Sequence, residues 1–197
     1  MQASTTRLVR RVFLSACSIA VLAMPAWAEA TVAAPKVVFQ TTLGEFVVEV
    51  YPDKAPKTVE NFLRYVKDKQ YDGTIFHRVS PNFMVQGGGY TAKLEEKIVR
   101  PPIPLEAQNG LKHEMGTIAM ARTNEPNSAR AQFFVNVKEN TFLNAKGSAD
   151  GYTVFGRVVS GMETIEKIKN VPTGSAGSFP TDVPKTPVLI NSATLVK

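Results

Sequence analysis

The strongest constraint on this chain is its supply of short β-branched and aromatic runs, each closed by Gly, Pro or Asn, against only two stretches of helical periodicity. The runs are residues 36–41, 45–50, 74–79, 83–86, 116–121, 133–137, 153–159 and 188–196. Thr42-Leu43-Gly44 is short enough to make the first two a hairpin. Val59, Phe62, Leu63 and Val66 fall at i, i+3, i+4 and i+7, an apolar helix face with Pro56 suited to its first turn. Met162, Ile165 and Ile168 outline a second helix, opened by Gly161. A doubly wound α/β fold needs a helix between most successive strands, so the pattern argues against it. A β-barrel or sandwich remains. Residues 171–187, with four prolines, are predicted to be a long irregular loop, and residues 100–104 a second proline-rich connection. Gly87-Gly88-Gly89 is predicted to be a tight turn with close backbone packing.

The N-terminal segment belongs to targeting, not to the fold. Arg7, Arg10 and Arg11 precede an apolar run from 12 to 24, then Pro25 and Ala26-Trp27-Ala28. That order of basic, apolar and small residues predicts a secretory signal, residues 1–28, cleaved after Ala28. The apolar run is short for a membrane anchor. Leu14-Ser15-Ala16-Cys17 resembles a lipoprotein motif, but it lies too close to Arg11 to have an apolar region of its own upstream. Removing 28 of the 197 residues leaves 169, a single-domain length, here residues 29–197. It also leaves 20 basic and 17 acidic residues, a net +3 spread along the chain and no nucleic-acid footprint. Cys17, the only cysteine, goes with the signal, so the remainder has neither disulfide nor thiol, which suits an oxidising compartment.

Most catalytic chemistry lacks its parts. His77 and His113 alone are too few ligands for a zinc site. A G-x-S-x-G nucleophile motif is missing, and the triple glycine lacks the Lys and Ser/Thr of a phosphate loop. What remains is Arg78 inside an apolar strand, Gln86 and Gln132 beside aromatic residues, and a set of large apolar side chains. By pattern alone these are core packing with a surface arginine.

The order of blocks adds more. Phe76-His77-Arg78-Val79, Phe83-Met84-Val85-Gln86-Gly87-Gly88, Gly116-Thr117-Ile118-Ala119-Met120-Ala121, Gln132-Phe133-Phe134-Val135 and Phe155-Gly156-Arg157-Val158-Val159 resemble the successive blocks of the cyclophilins. The resemblance runs from Lys36 to the end and is nearest the bacterial periplasmic branch. It implies a mainly β fold, a closed eight-stranded antiparallel barrel capped by two helices, and cofactor-independent prolyl cis/trans isomerisation. Such a reaction suits a chain without nucleophile or metal. Rotation about X-Pro breaks amide resonance, with a barrier of roughly 18–20 kcal/mol, but makes and cuts no bond.

The resemblance also implies roles. Arg78 is the catalytic arginine, and Gln86 orients it and the substrate carbonyl. Phe83, Met84, Phe134 and Leu143 line a proline pocket. Ala121, Arg122 and Thr123 pair their backbone with an extended peptide, and Gln132 contacts it. His77 either supports the wall or is a buried structural histidine. Phe142 stands where many relatives have Trp, which puts cyclosporin sensitivity in doubt. Tyr152 stands where many have His, and Arg122-Thr123 replaces a common Asn-Ala. The expected partners are proline-containing, partly folded exported polypeptides, met in the periplasm by a monomer that binds neither nucleic acid nor, after cleavage, membrane. Two other readings are a non-catalytic peptide-binding module, which the retained Arg78 disfavours, and an envelope protein anchored through Cys17.

Overall fold

The computed structural model describes residue 2, residues 33–147 and residues 150–196. The expected signal segment and Cys17 lie outside the described residues. Residues Ala33–Lys197 form one compact unit.

Alternation of side chains across a pleated strand explains most of its architecture. Strands β1 (Lys36–Thr41) and β2 (Gly44–Val50) form the predicted hairpin and turn Val37, Phe39, Phe46, Val48 and Val50 inward. Then come β3 (Thr74–Ser80), β4 (Met84–Thr91), β5 (Thr117–Met120), β6 (Phe133–Asn136), β7 (Val154–Ser160) and, after a further hairpin, β10 (Leu189–Leu195). These eight close into a barrel in the order β1-β10-β3-β4-β6-β5-β7-β2, antiparallel throughout. Closure leaves no open sheet edge between first and last strand. Phe39 and Phe46 stack in the interior with ring centroids 4.8 Å apart. Phe62, Tyr71, Phe76, Phe133 and Phe155 complete an aromatic core.

Helix α1 (Pro56–Lys67) packs Val59, Phe62, Tyr65 and Val66 against this core, with Pro56 in its first turn as expected. Its free N-terminal amides are capped from afar: the Glu106 carboxylate accepts from Thr58 N–H at 2.8 Å and from the Thr58 hydroxyl at 2.7 Å. Helix α2 (Met162–Lys169) buries Ile165 and Ile168. Among the described residues, no helix is long and apolar enough to cross a membrane.

Two sequence expectations need correction. Residues 173–184 are not an irregular loop. They form a hairpin of β8 (Thr173–Ala176) and β9 (Phe179–Pro184) that packs on β3. The triple glycine is not a turn either. It lies inside β4, where Gly88 at φ +85° allows a bulge that sets residues 88–90 opposite Ile75. The expected close packing is present, because a Cβ on Gly88 would lie 2.9 Å from the Tyr71 ring and 3.0 Å from that of Phe133.

Candidate active site

The outward-facing residues of four strands make a row on the barrel surface. In register, Arg78 of β3 stands beside Gln86 of β4, Gln86 beside Phe134 of β6, and Phe134 beside Ala119 of β5. Their neighbours in sequence, Val79, Val85, Val135 and Ile118, point into the core. The same period of two therefore builds the barrel interior and the site. A small apolar cluster of Met84, Ala119, Phe134, Leu143 and Val154 floors the site, with Phe83, Ala121 and Tyr152 against it.

Above this floor lies a recess of about 260 Å³ lined by Arg78, Phe83, Met84, Gln86, Ala121, Arg122, Phe134, Phe142, Leu143 and Tyr152. Of the thirteen residues singled out in the sequence, these ten meet there. Thr123 and Gln132 line a second recess of about 220 Å³, which shares Gln86, Ala121 and Arg122 with the first. Gln86 Nε2 donates to Gln132 Oε1 at 2.9 Å, so one amide pair spans the two recesses.

The structure does not bring His77 to either recess. A bulge places His77 and Arg78 together opposite the β4 backbone, and His77 is covered by the rings of Tyr90 (4.7 Å) and Phe179 (5.7 Å). It is the buried structural histidine, not a wall of the pocket. Burial first, and the adjacent Arg78 charge second, lower its pKa to about 4.

Gln86 also differs from expectation. Its side-chain amide bonds Gln132, and among the described residues the Arg78 guanidinium makes no hydrogen bond. Arg78 Cζ lies 5.7 Å from the centroid of the Phe83 ring, and its Nε lies 3.7 Å from Asp182 Oδ2 on β9. The sequence reading missed Asp182 because it missed the hairpin. The available signal was Gly177-Ser178, a two-residue turn between Ala176 and Phe179, which pair across it.

A buried polar chain, also missed, supports the floor. His113 Nε2–H donates to the Tyr152 carbonyl at 3.0 Å, while His113 Nδ1 accepts from Asn136 Nδ2 at 3.1 Å. Asn140 Nδ2 donates to Asn136 Oδ1 and to the Phe83 carbonyl. The His113 ring stacks under Phe134 at 5.8 Å, and burial lowers its pKa, which favours the neutral form this chain requires. At the rim, Arg122 Nε donates to Gly151 O at 2.9 Å, and its guanidinium lies 4.7 Å over the Tyr152 ring. Among the described residues, no cluster of three His, Cys, Asp or Glu could hold a metal.

A polar edge on an apolar recess next to an extended groove fits peptide recognition, and the comparisons agree. The family model for cyclophilin type peptidyl-prolyl cis-trans isomerase/CLD matches residues 36–195. A peptidyl-prolyl cis-trans isomerase of Acinetobacter baylyi is 51% identical over 156 residues, covering 79% of this chain and 82% of that protein. Peptidyl-prolyl cis-trans isomerase B of Escherichia coli is 50% identical over 162 residues, covering 81% and 98%. Peptidyl-prolyl cis-trans isomerase A of Dickeya dadantii is 44% identical over 184 residues, covering 92% and 96%. In fold, the chain resembles a crystal structure of a Cryptosporidium parvum cyclophilin with a TM-score of 0.68 at 24% identity, covering 83% of this chain and 98% of that one. The chain belongs to the cyclophilin-type peptidyl-prolyl cis-trans isomerases. It is an isomerase of X-Pro bonds, a reaction that needs no cofactor, and its substrates are proline-containing polypeptides.

Proposed function

We propose that Arg78 drives the isomerisation from the edge of the 260 Å³ recess, and that the enzyme serves exported, partly folded chains in the periplasm. The observation that carries the first part is the place of Arg78: a charged fork without a hydrogen-bond partner among the described residues, in register with Gln86 and Phe134. As the X-Pro bond twists, the prolyl nitrogen loses resonance, becomes pyramidal and gains a lone pair. A guanidinium donating to that lone pair opposes its return to planarity and binds the twisted amide better than either planar isomer. Arg78 stays charged at every relevant pH and offers a planar set of donors.

The other roles follow from the lining. Phe83, Met84, Phe134, Phe142, Leu143 and Tyr152 hold the proline ring. Gln86 presents its amide to the peptide beside it, steadied by Gln132. Strand-like pairing with the substrate backbone falls to Arg122. The Ala121 N–H donates to Gln132 O and the Thr123 N–H to the Ser128 hydroxyl, whereas among the described residues the Arg122 N–H and C=O have no partner. The basic, apolar and small-residue order of residues 1–28 supports export, and the mature enzyme is taken as a monomer.

The test is a protease-coupled assay on an X-Pro peptide, with circular dichroism alongside. Arg78→Ala is expected to lower kcat/KM by about 10²- to 10³-fold, the scale seen when a preorganised donor is removed, with the fold kept. Near-normal turnover in that variant overturns the role of Arg78. Mass spectrometry of the purified enzyme checks export, and any N-terminus other than Glu29 overturns cleavage after Ala28.

A further inference from the structure

We propose that Asp182, on the β8–β9 hairpin, is a positioning residue for Arg78; the inference rests on the role of Arg78 proposed above. The hairpin is seated beside the arginine by packing. Phe179 lies edge-on to Tyr90 at 5.2 Å and against His77 at 5.7 Å, so β9 covers β3 at the residue next to Arg78. The base of the hairpin is closed by Lys185 N–H donating to Pro172 O at 2.9 Å.

The register of the hairpin then aims the carboxylate. Gly174 pairs with Val183 and Ala176 with Phe179, so residues 180–182 stand opposite Ser175 alone. A bulge of this kind redirects a side chain that a regular strand would point elsewhere. Asp182 itself has φ +67°, left-handed backbone that Asp and Asn tolerate better than most residues. The outcome is the 3.7 Å approach of Asp182 Oδ2 to Arg78 Nε.

The end of the guanidinium that is held is what matters. Asp182 approaches Nε, at the stem of the fork, and Phe83 lies 5.7 Å from Cζ. Among the described residues, neither terminal Nη has a hydrogen-bond partner, so both are left for substrate. A long arginine side chain loses considerable rotamer freedom when it must point one way. A fixed carboxylate at its stem reduces the number of orientations before substrate arrives, which is the condition for electrostatic preorganisation. A carboxylate could act in the opposite sense, by damping the positive field at the prolyl nitrogen. The two effects predict opposite signs for its removal. Side-chain exposures of 44% for Arg78 and 34% for Asp182 leave the pair open to salt screening.

The experiment is a double-mutant cycle of Asp182→Asn with Arg78→Ala, measured by protease-coupled kinetics and thermal unfolding. Asn keeps the size and tolerates the left-handed backbone. The expected result is a fall in kcat of about two- to fivefold for Asp182→Asn, the scale of a partly exposed ion pair, with KM and Tm unchanged. The same substitution should have no effect on kcat once Arg78 is Ala, and Asp182→Glu should restore part of the loss. In the Arg78 enzyme, added salt should narrow the gap between wild type and Asp182→Asn. Wild-type or raised kcat in Asp182→Asn, or an equal fall in both backgrounds, overturns the positioning role. Near-normal turnover in Arg78→Ala overturns the reading of Arg78 instead.

Discussion

Burial keeps His77 a neutral residue. The residue is 2% exposed, with its ring between Tyr90 and Phe179; among the described residues its Nδ1 has no partner, and a positive charge there would sit next to Arg78. With a folded pKa of about 4, against about 6.5 for the ordinary side chain, only the unfolded chain takes up the proton between those values. The stability gained by keeping His77 neutral is therefore complete above about pH 6.5 and is lost as pH falls towards 4. The slope is about 1.4 kcal/mol per pH unit for one such group, and His113, also lowered by burial, adds in the same direction. Urea midpoints measured from pH 7.5 down to 4.5 should fall less steeply for His77→Phe than for wild type; parallel curves would remove His77 from the account. At the rim, two departures from the family pattern turn out to be one contact: Arg122 stacks on Tyr152 and ties residue 151 to residue 122. No side-chain alternation could reveal that pairing, because it joins two loops.

At the scale of elements, legibility followed side-chain type and alternation. β1 and β2 could be read because they bury every second residue, and β5 and β6 because short apolar runs are buried on both faces. Arg78, Gln86 and Phe134 share one recess because adjacent outward positions come into register, while Phe83, Ala121, Arg122, Phe142, Leu143 and Tyr152 reach it from outside the strands. Two elements were hidden. In β9, Pro180 and Pro184 imitate a loop, although proline is tolerated on a two-stranded edge. In β4, three glycines carry no alternation, yet the strand runs on through them. Those glycines separate fold from function. A Cβ on Gly88 would meet the buried rings of Tyr71 and Phe133 and would force φ +85° on a residue that resists it. Gly88→Ala is expected to destabilise by about 2–4 kcal/mol. The three atoms nearest a Cβ on Gly89 all belong to the Gln132 side chain, with Cγ at 2.5 Å, and that side chain can swing away. Gly89→Ala should therefore nearly keep its Tm but break the Gln86–Gln132 bond and raise KM for peptide substrates. Equal losses of stability in the two variants would contradict this division.

The whole molecule depends on a strand that contributes nothing to the recess. β10 lies between β1 and β3 and closes the barrel, pairing Val37, Val38, Phe39, Gln40 and Thr41 on one side and Thr74 and Ile75 on the other. It brings Ile190 and Ala193 into the core, and its Ile190 carbonyl accepts from Gly73 N–H at 2.8 Å. None of the ten residues lining the larger recess lies beyond 152. If the site were a local construction, a chain ending at Pro187 would keep it. If the site is a row in register across a closed barrel, the truncation opens β1 and β3, exposes unpaired backbone and loosens the register that places Arg78 beside Gln86. The second outcome is expected: the shortened chain should lack a cooperative thermal transition and near-UV circular dichroism, and should show no isomerase activity. A soluble truncated protein with a sharp transition and measurable turnover would mean that β3, β4, β5 and β6 hold their register without closure.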